Sequence, residues 1–171
     1  MKFKATSIGG VFLIDLDLHE DDRGFFARSW CREEFAKAGL RADLAQCSVS
    51  YNKTRGTLRG LHYQAAPYEE TKLVRCVRGK LFDVVVDLRA GSPTEGLWEA
   101  FELDAHNRRA LYIPGGVAHG FQTLEDDTEI FYQMTDPFHA PSSRTVAWDD
   151  ARFSIPWPIG NPILSDKDRD A

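Results

Sequence analysis

The sequence predicts a mainly β protein, a sandwich or barrel of short strands with one or two short helices. Short apolar or alternating runs recur along the chain, and Gly, Pro, Asn and Asp separate them. These runs cover residues 11–16, 24–28, 72–77, 80–88, 97–103, 109–113 and 129–135. A helical pattern stands out once, in residues 29–38, where Ser29 is the predicted N-cap and Gly39 the predicted end.

The composition indicates one packed domain covering residues 1–171. The chain is 43% hydrophobic and contains 11 Phe, 5 Tyr and 4 Trp, which is enough for a core. Its net charge of −5 argues against a nucleic-acid partner. No apolar run approaches the ~20 residues of a membrane span, and the first residues are unlike a signal peptide. We therefore expect a cytoplasmic protein with no membrane partner and with reduced cysteines.

The most informative stretch lies between Gly56 and Gln64. Metal-binding cupin barrels carry a glycine, a spacer and His-x-His with a glutamate downstream, and later Pro-x-Gly-x-x-His. This chain keeps the glycine and the first histidine, His62, and it keeps the second motif as PGGVAH, which ends at His119. Gln64 stands in place of the second histidine, and Lys72 stands where the glutamate is expected. The pattern predicts a cupin-type double-stranded β-helix, a jelly-roll barrel, in which two of the four metal ligands have been replaced.

We expect no metal and no other cofactor in this barrel. A lysine at a ligand position repels a divalent cation, and a glutamine is a poor ligand for zinc or iron. The remaining groups favour proton chemistry next to a carbonyl. Histidine accepts a proton near neutral pH, a cation stabilises the resulting oxyanion, and a tyrosine can return a proton. Isomerisation and epimerisation fit; acyl transfer fits less well, because no Gly-x-Ser-x-Gly motif is present.

Several motifs follow one another in order from about residue 10 to residue 168. They are DRGFF (22–26), RGLHYQ (59–64), KLVRC (72–76), DVVVDLR (83–89), GSPT (91–94), IPGGVAHGF (113–121), FY (131–132), WDD (148–150), WP (157–158) and LSDKD (164–168). Through these motifs the chain resembles the dTDP-4-dehydrorhamnose 3,5-epimerase family of nucleotide-sugar enzymes. The resemblance implies a cofactor-independent, homodimeric epimerase that inverts C3, C5 or both of a nucleotide-diphospho-4-keto-6-deoxyhexose.

The resemblance also implies roles for four catalytic residues. His62 would remove the protons at C3 and C5, both α to the C4 ketone, and Asp168 would pair with His62. Asp166 or Asp83 could supply that carboxylate instead. In addition, Lys72 would stabilise the enolate oxygen. The last catalytic residue would be Tyr132, which would deliver a proton from the opposite face.

The implied substrate-binding residues are Arg23, Phe26, Gln46, Arg59, His119 and Phe138. Arg23 and Arg59 would hold the diphosphate, and Phe138 would stack on the nucleotide base. From about residue 137 the chain is rich in proline, which predicts an extended tail that wraps or caps the site. Two alternatives remain open: a non-catalytic cupin that binds a sugar nucleotide, and a metal-dependent cupin enzyme.

Overall fold

The computed structural model describes residues 1–171 and contains thirteen strands, two short α-helices and one 3-10 turn. The strands are β1 Lys2–Ala5, β2 Phe12–Asp15, β3 His19–Asp21, β4 Gly24–Phe26, β5 Gln46–Asn52, β6 Leu58–Gln64, β7 Lys72–Arg78, β8 Lys80–Asp87, β9 Trp98–Asp104, β10 Ala110–Ile113, β11 Val117–Thr123, β12 Thr128–Met134 and β13 Ser143–Thr145. The helices are α1 Arg32–Lys37 and α2 Asp166–Arg169, and the 3-10 turn is Ala140–Ser142. The mainly β prediction is confirmed, and each of the seven predicted runs overlaps a strand.

Two antiparallel sheets form the barrel. One has six strands in the order β1-β2-β10-β7-β12-β5, and the other has five in the order β13-β6-β11-β8-β9. Strands β3 and β4 form a separate two-stranded hairpin. Because most neighbouring strands in each sheet, all but the pairs β1–β2 and β8–β9, are not consecutive in sequence, the chain crosses repeatedly between sheets, as in a jelly roll. This crossing brings β6, β7, β11 and β12, which carry half of the predicted site residues, into adjacent layers.

The main core lies between the two sheets. Twelve buried residues form it, among them Val74 and Cys76 of β7, Val85 of β8 and Ile130 of β12. Side chains alternate across a strand, so Lys72 shares the inward face of β7 with Val74 and Cys76. Because Lys72 is the first residue of β7, its polar side chain lies at one end of the apolar core.

Helix α1 closes the outer face of the six-stranded sheet. Its buried Phe35 packs edge-on against Phe3, with ring centroids 5.2 Å apart. The predicted end at Gly39 is confirmed, since this residue has φ +73° just after the helix. The predicted start at Ser29 is wrong. The N-cap is Cys31, and the Ser29 carbonyl accepts a hydrogen bond from the Arg75 guanidinium at 2.9 Å instead.

The proline-rich segment runs along the five-stranded sheet and back to β6. Strand β13 pairs with β6, and Phe153, Ile155 and Trp157 pack on the outer face of the sheet. Farther on, Ile163 forms a parallel bridge to Thr57, just before β6. Helix α2 follows directly and lies beside β6. The end of the chain is thus held against the strand that carries His62.

None of the helices is long and apolar enough to cross a membrane.

Candidate active site

His62 lies in the middle of β6, between β11 and β13. Its Nε2 is 2.6 Å from Oδ1 of Asp168, whose side chain is only 4% exposed. The second oxygen of Asp168 accepts a hydrogen bond from the Ser165 hydroxyl at 2.9 Å, and Ser165 also caps α2. The other nearby acid of α2, Asp166, pairs with Arg169 and points to solvent. Helix α2 is therefore built to hold a single carboxylate against His62.

The hydrogen bond to Asp168 fixes the state of the imidazole. Because Nε2 lies against a carboxylate, Nε2 carries the proton, and Nδ1 remains as the free proton acceptor. Burial lowers the pKa of His62 below its usual 6.5, and Asp168 opposes part of that shift. The side chain is still 35% exposed. His62 is thus neutral at physiological pH and open to a ligand.

Lys72 adds a positive charge next to this pair. Its ammonium donates to the backbone carbonyl of His62 at 3.3 Å and forms an ion pair with Glu70 at 3.0 Å. The Lys72 and Glu70 side chains are only 12% and 9% exposed. Glu70 is not among the predicted site residues. Its only signal in the sequence is its spacing, since residues two apart in an extended chain share a face.

A second histidine–carboxylate pair lies deeper in the barrel. Nε2 of His119 is 2.9 Å and 3.0 Å from the two oxygens of Asp83, and their side chains are 5% and 0% exposed. The His119 ring contacts Tyr132 edge-on at a centroid distance of 6.1 Å. Burial raises the pKa of the Tyr132 phenol well above 10, Asp83 raises it further, and Arg59 opposes the shift. Tyr132 therefore keeps its proton throughout the physiological range.

Arg59 extends the cluster along β6 and is exposed. Its Nε donates to the side-chain carbonyl of Asn52 at 2.7 Å, and the amide of this buried asparagine donates to the Thr128 carbonyl at 3.2 Å. Asn52 thus aims a guanidinium that has no carboxylate partner. Sequence reasoning missed this residue, since an asparagine at the end of a strand is not distinctive.

Gly60 allows the strands to approach so closely. It has φ +103°, and a Cβ atom there would lie 2.6 Å from the His119 carbonyl oxygen and 2.8 Å from Cα of Gly120. Only glycine fits this backbone conformation and this space. The narrow gap between β6 and β11 puts His62 directly opposite His119.

Gln46 and Phe138 lie at the open rim beside β12. The side-chain carbonyl of Gln46 accepts a hydrogen bond from the Phe138 amide at 3.2 Å. Gln46 is opposite Met134 in the ladder of β5 and β12, near the strand that carries Tyr132. The ring of Phe138 is 61% exposed. Phe138 is thus an exposed aromatic residue held next to Gln46, on the strand that pairs with the one carrying Tyr132.

Arg23 and Phe26 lie elsewhere. Both belong to the hairpin β3–β4, where Arg23 pairs with Asp21 at 2.6 Å and its side chain is 90% exposed. Phe26 is 74% exposed. The hairpin packs through Phe25, which lies under the Arg108 guanidinium at 4.1 Å. Within one chain, the structure does not bring Arg23 and Phe26 to the cluster around His62.

The side chains of this site do not suit a metal ion. No three His, Cys, Asp or Glu side chains lie close enough together to hold one. His62 and His119 each direct Nε2 to a carboxylate. Lys72 occupies the position at which a metal-binding cupin has its glutamate ligand, and its ammonium lies beside His62. What the site offers is a neutral imidazole, a protonated phenol and two cations at the end of a cupin-type barrel. The fold and the site define an enzyme of the acid–base isomerase class.

Comparison with known proteins gives the family. The family model described as dTDP-4-dehydrorhamnose 3,5-epimerase matches residues 5–171, and the chain belongs to this family. A dTDP-4-dehydrorhamnose 3,5-epimerase of Shigella flexneri is 44% identical over 169 residues, covering 98% of this chain and 93% of the relative. A dTDP-4-dehydrorhamnose 3-epimerase of Streptomyces niveus is 40% identical over 172 residues, covering 100% and 83%.

The solved structures agree with this assignment. The crystal structure of a dTDP-4-dehydrorhamnose 3,5-epimerase from Bacillus anthracis, with TDP and PPi bound, superposes with a TM-score of 0.96 at 41% identity. The match covers 98% of this chain and 96% of that one. Such coverage means that the barrel, the rim and the C-terminal segment all have counterparts in a member of the family.

Proposed function

We propose that this protein is a cofactor-independent epimerase acting on a nucleotide-diphospho-4-keto-6-deoxyhexose of the dTDP-4-dehydro-6-deoxyglucose type. It inverts C3, C5 or both. The observation that carries the proposal is the 2.6 Å contact between His62 and Asp168, next to the Lys72 ammonium. Membership of the epimerase family supports the substrate class.

The reaction begins with proton removal by His62. Its free Nδ1 takes the proton from a carbon α to the C4 ketone, and the C–H electrons move onto the ketone oxygen. Asp168 stabilises the imidazolium that forms, because its carboxylate is desolvated and close. Lys72 then faces the enolate oxygen, and a charge-assisted hydrogen bond from its ammonium stabilises the intermediate.

Inversion requires a proton from the other face of the enolate. Tyr132 supplies it, since its raised pKa keeps the phenol protonated while the enolate carbon is far more basic. The positive charge of Arg59, which opposes the rise in the Tyr132 pKa, stabilises the phenolate left behind. Solvent then returns a proton to Tyr132 and removes one from His62, which resets both groups.

The rest of the substrate binds around this centre. Arg59 holds the diphosphate, Gln46 and His119 line the sugar site, and Phe138 stacks on the base.

We infer a cytoplasmic location, because all three cysteines are free.

We also infer a homodimer. The exposed hairpin carries Arg23 and Phe26 away from its own site, so these residues reach a substrate only in a second copy of the chain. A monomeric protein in sedimentation experiments, or unchanged kinetics for Arg23→Ala, would contradict this assignment.

Position-resolved deuterium exchange tests the proposed reaction. In D₂O the enzyme is expected to exchange the hydrogen at C3, C5 or both of dTDP-4-keto-6-deoxyglucose, as followed by NMR. Tyr132→Phe is expected to retain exchange, because His62 still removes the proton, but to slow net inversion by about 10²- to 10⁴-fold. Full inversion by Tyr132→Phe would refute the role of the phenol. Binding without exchange would indicate a non-catalytic cupin, and inactivation by a chelator would indicate a metal enzyme.

A further inference from the structure

Gln64 has no role in the proposed chemistry, although it stands where a metal-binding cupin carries a histidine. Its side chain is 3% exposed. Its amide nitrogen donates to the carbonyls of Tyr68 at 2.9 Å and Pro137 at 3.4 Å. The amide oxygen accepts from the His139 N–H at 2.5 Å. Only this orientation of the amide works, because the reverse would oppose two carbonyls with an oxygen and an N–H with an NH₂ group.

Two of these three partners belong to the peptide groups on either side of Phe138. The Pro137 carbonyl precedes it, and the His139 N–H follows it. The N–H of Phe138 itself donates to Gln46. Two glutamines therefore hold the backbone of Phe138, while its ring stays 61% exposed. Such an arrangement fixes an aromatic surface before any ligand arrives.

The third partner ties a second loop to the same point. The ring of Tyr68, whose carbonyl Gln64 binds, stacks on the His139 ring with a centroid distance of 3.7 Å and an interplanar angle of 14°. Residues 136–139 together with Pro67 and Tyr68 line a cavity of about 230 Å³. One buried amide thus connects β6 to both segments that form this aromatic wall.

We propose that Gln64 is a positioning residue that fixes Phe138 and the Tyr68–His139 pair as a preformed wall for the nucleoside part of the substrate. The proposal rests on the proposed function, and it adds a role in nucleoside recognition for a residue on the catalytic strand. Gln64 acts through Phe138 rather than on the reacting carbons. Its loss is therefore expected to weaken binding while leaving the chemistry largely intact.

Gln64→Met tests the proposal, because methionine keeps the length and removes all three hydrogen bonds. We expect the Kd for dTDP, measured by calorimetry, and the KM for the sugar nucleotide to rise about 3- to 10-fold. The saturated deuterium-exchange rate is expected to stay within about 2-fold, since that rate reports chemistry. In a Phe138→Ala background, Gln64→Met should raise the Kd by a smaller factor than it does in the wild-type background, because part of the wall is already missing.

Gln122→Met is the matched control. Gln122 is also fully buried and also clamps a loop, through its bonds to the carbonyl and N–H of Ile159 at 2.8 Å and 2.9 Å. It is expected to lower stability without changing the Kd for dTDP. Gln64→Glu, which keeps the acceptor for His139, is the second variant if Gln64→Met does not fold, and it should weaken dTDP binding in the same direction.

An unchanged Kd for both Gln64 variants, an equal rise in the Phe138→Ala background, or a loss confined to the saturated exchange rate would overturn the inference. These outcomes are distinct from failure of the proposed function. Wild-type protein that exchanges no deuterium refutes the epimerase, and wild-type protein that binds no dTDP refutes both. Wild-type protein that does both, with an unaffected Gln64→Met Kd, refutes the positioning role alone.

Discussion

Asp168→Asn tests the acid–base chemistry most directly, because it removes one charge and almost no volume. In the structure Oδ1 of Asp168 is 2.6 Å from Nε2 of His62, and the carboxylate is 4% exposed. An asparagine can still accept the hydrogen bond from His62, since its amide nitrogen can turn to the Ser165 hydroxyl. The tautomer is retained, and the charge that stabilises the imidazolium is lost.

The size of the effect follows from that contact. A hydrogen bond to a charged group contributes about 1.5–3 kcal/mol, and about 1.36 kcal/mol corresponds to a factor of ten in rate. We therefore expect the deuterium-exchange rate at saturating substrate to fall by about 10- to 150-fold. The variant should remain more active than His62→Ala, which lacks the base itself.

The pH dependence of exchange is a second, independent test of the pairing, because the direction in which the acid limb moves can be predicted. Exchange requires neutral His62, so the rate is lost as the pH falls through the pKa of His62, which burial holds below 6.5. Asp168 raises that pKa within the folded protein. Its neutralisation should therefore move the acid limb of the pH–rate profile to lower pH, even though the maximal rate falls.

The assay is exchange measured across the pH range for wild type, Asp168→Asn and a control, Asp166→Asn. Asp166 is on the same helix, and its side chain is 91% exposed and pairs only with Arg169. It should behave as wild type. An Asp168→Asn enzyme with the wild-type rate, or with an acid limb shifted to higher pH, would refute the assigned pairing.

Two further predictions concern stability, measured by chemical denaturation. Gly60→Ala should destabilise the fold by at least about 3 kcal/mol, from strain at positive φ plus a clash with backbone atoms. Gly91→Ala has a similar φ and open space, so it should cost only about 1 kcal/mol, and equal losses would contradict the close approach of the strands. Glu70→Gln should destabilise by about 2 kcal/mol, because it leaves the Lys72 ammonium nearly buried without its counter-charge. Asp21→Asn removes an exposed ion pair and should have no measurable effect; a comparable loss there would mean that burial does not set the difference.

The strands were predictable where packing alone determines the pattern. Strand β8 is a largely apolar run interrupted by Asp83, and β12 buries Thr128, Ile130 and Met134 on one face, so both are close to the periods that sequence reasoning detects. Strand β11 shows neither pattern in its sequence, because every residue in it is buried although two of them, His119 and Gln122, are polar and large. Its polar side chains are satisfied by partners on other segments, Asp83 and Ile159. Such long-range satisfaction leaves no local pattern.

The same distinction applies to the site. The positions of His62 and Lys72 follow from motif spacing along two strands that are consecutive in the sequence and lie in facing sheets. Of the partners that set their electrostatics, only Asp168 belongs to a motif, and the family resemblance rather than local spacing implies that it pairs with His62. Asp168 is 106 residues from His62, and it meets the imidazole only because the C-terminal segment returns to β6. Glu70 and Asn52 carry no motif at all, and only the three-dimensional contacts reveal what they hold in place.

Two histidine–carboxylate pairs share this barrel, and their surroundings give them different capacities. Both pairs use Nε2 and a nearly inaccessible aspartate, so residue type does not distinguish them. Exposure does: the His62 side chain is 35% exposed, whereas that of His119 is 5% exposed. A base must reach the proton that it removes, which favours His62. Burial raises the pKa of the Tyr132 phenol, and Asp83 of the closed pair raises it further, so the phenol keeps its proton. In the proposed reaction, the open pair therefore provides the base, and the closed pair lies beside the acid, Tyr132.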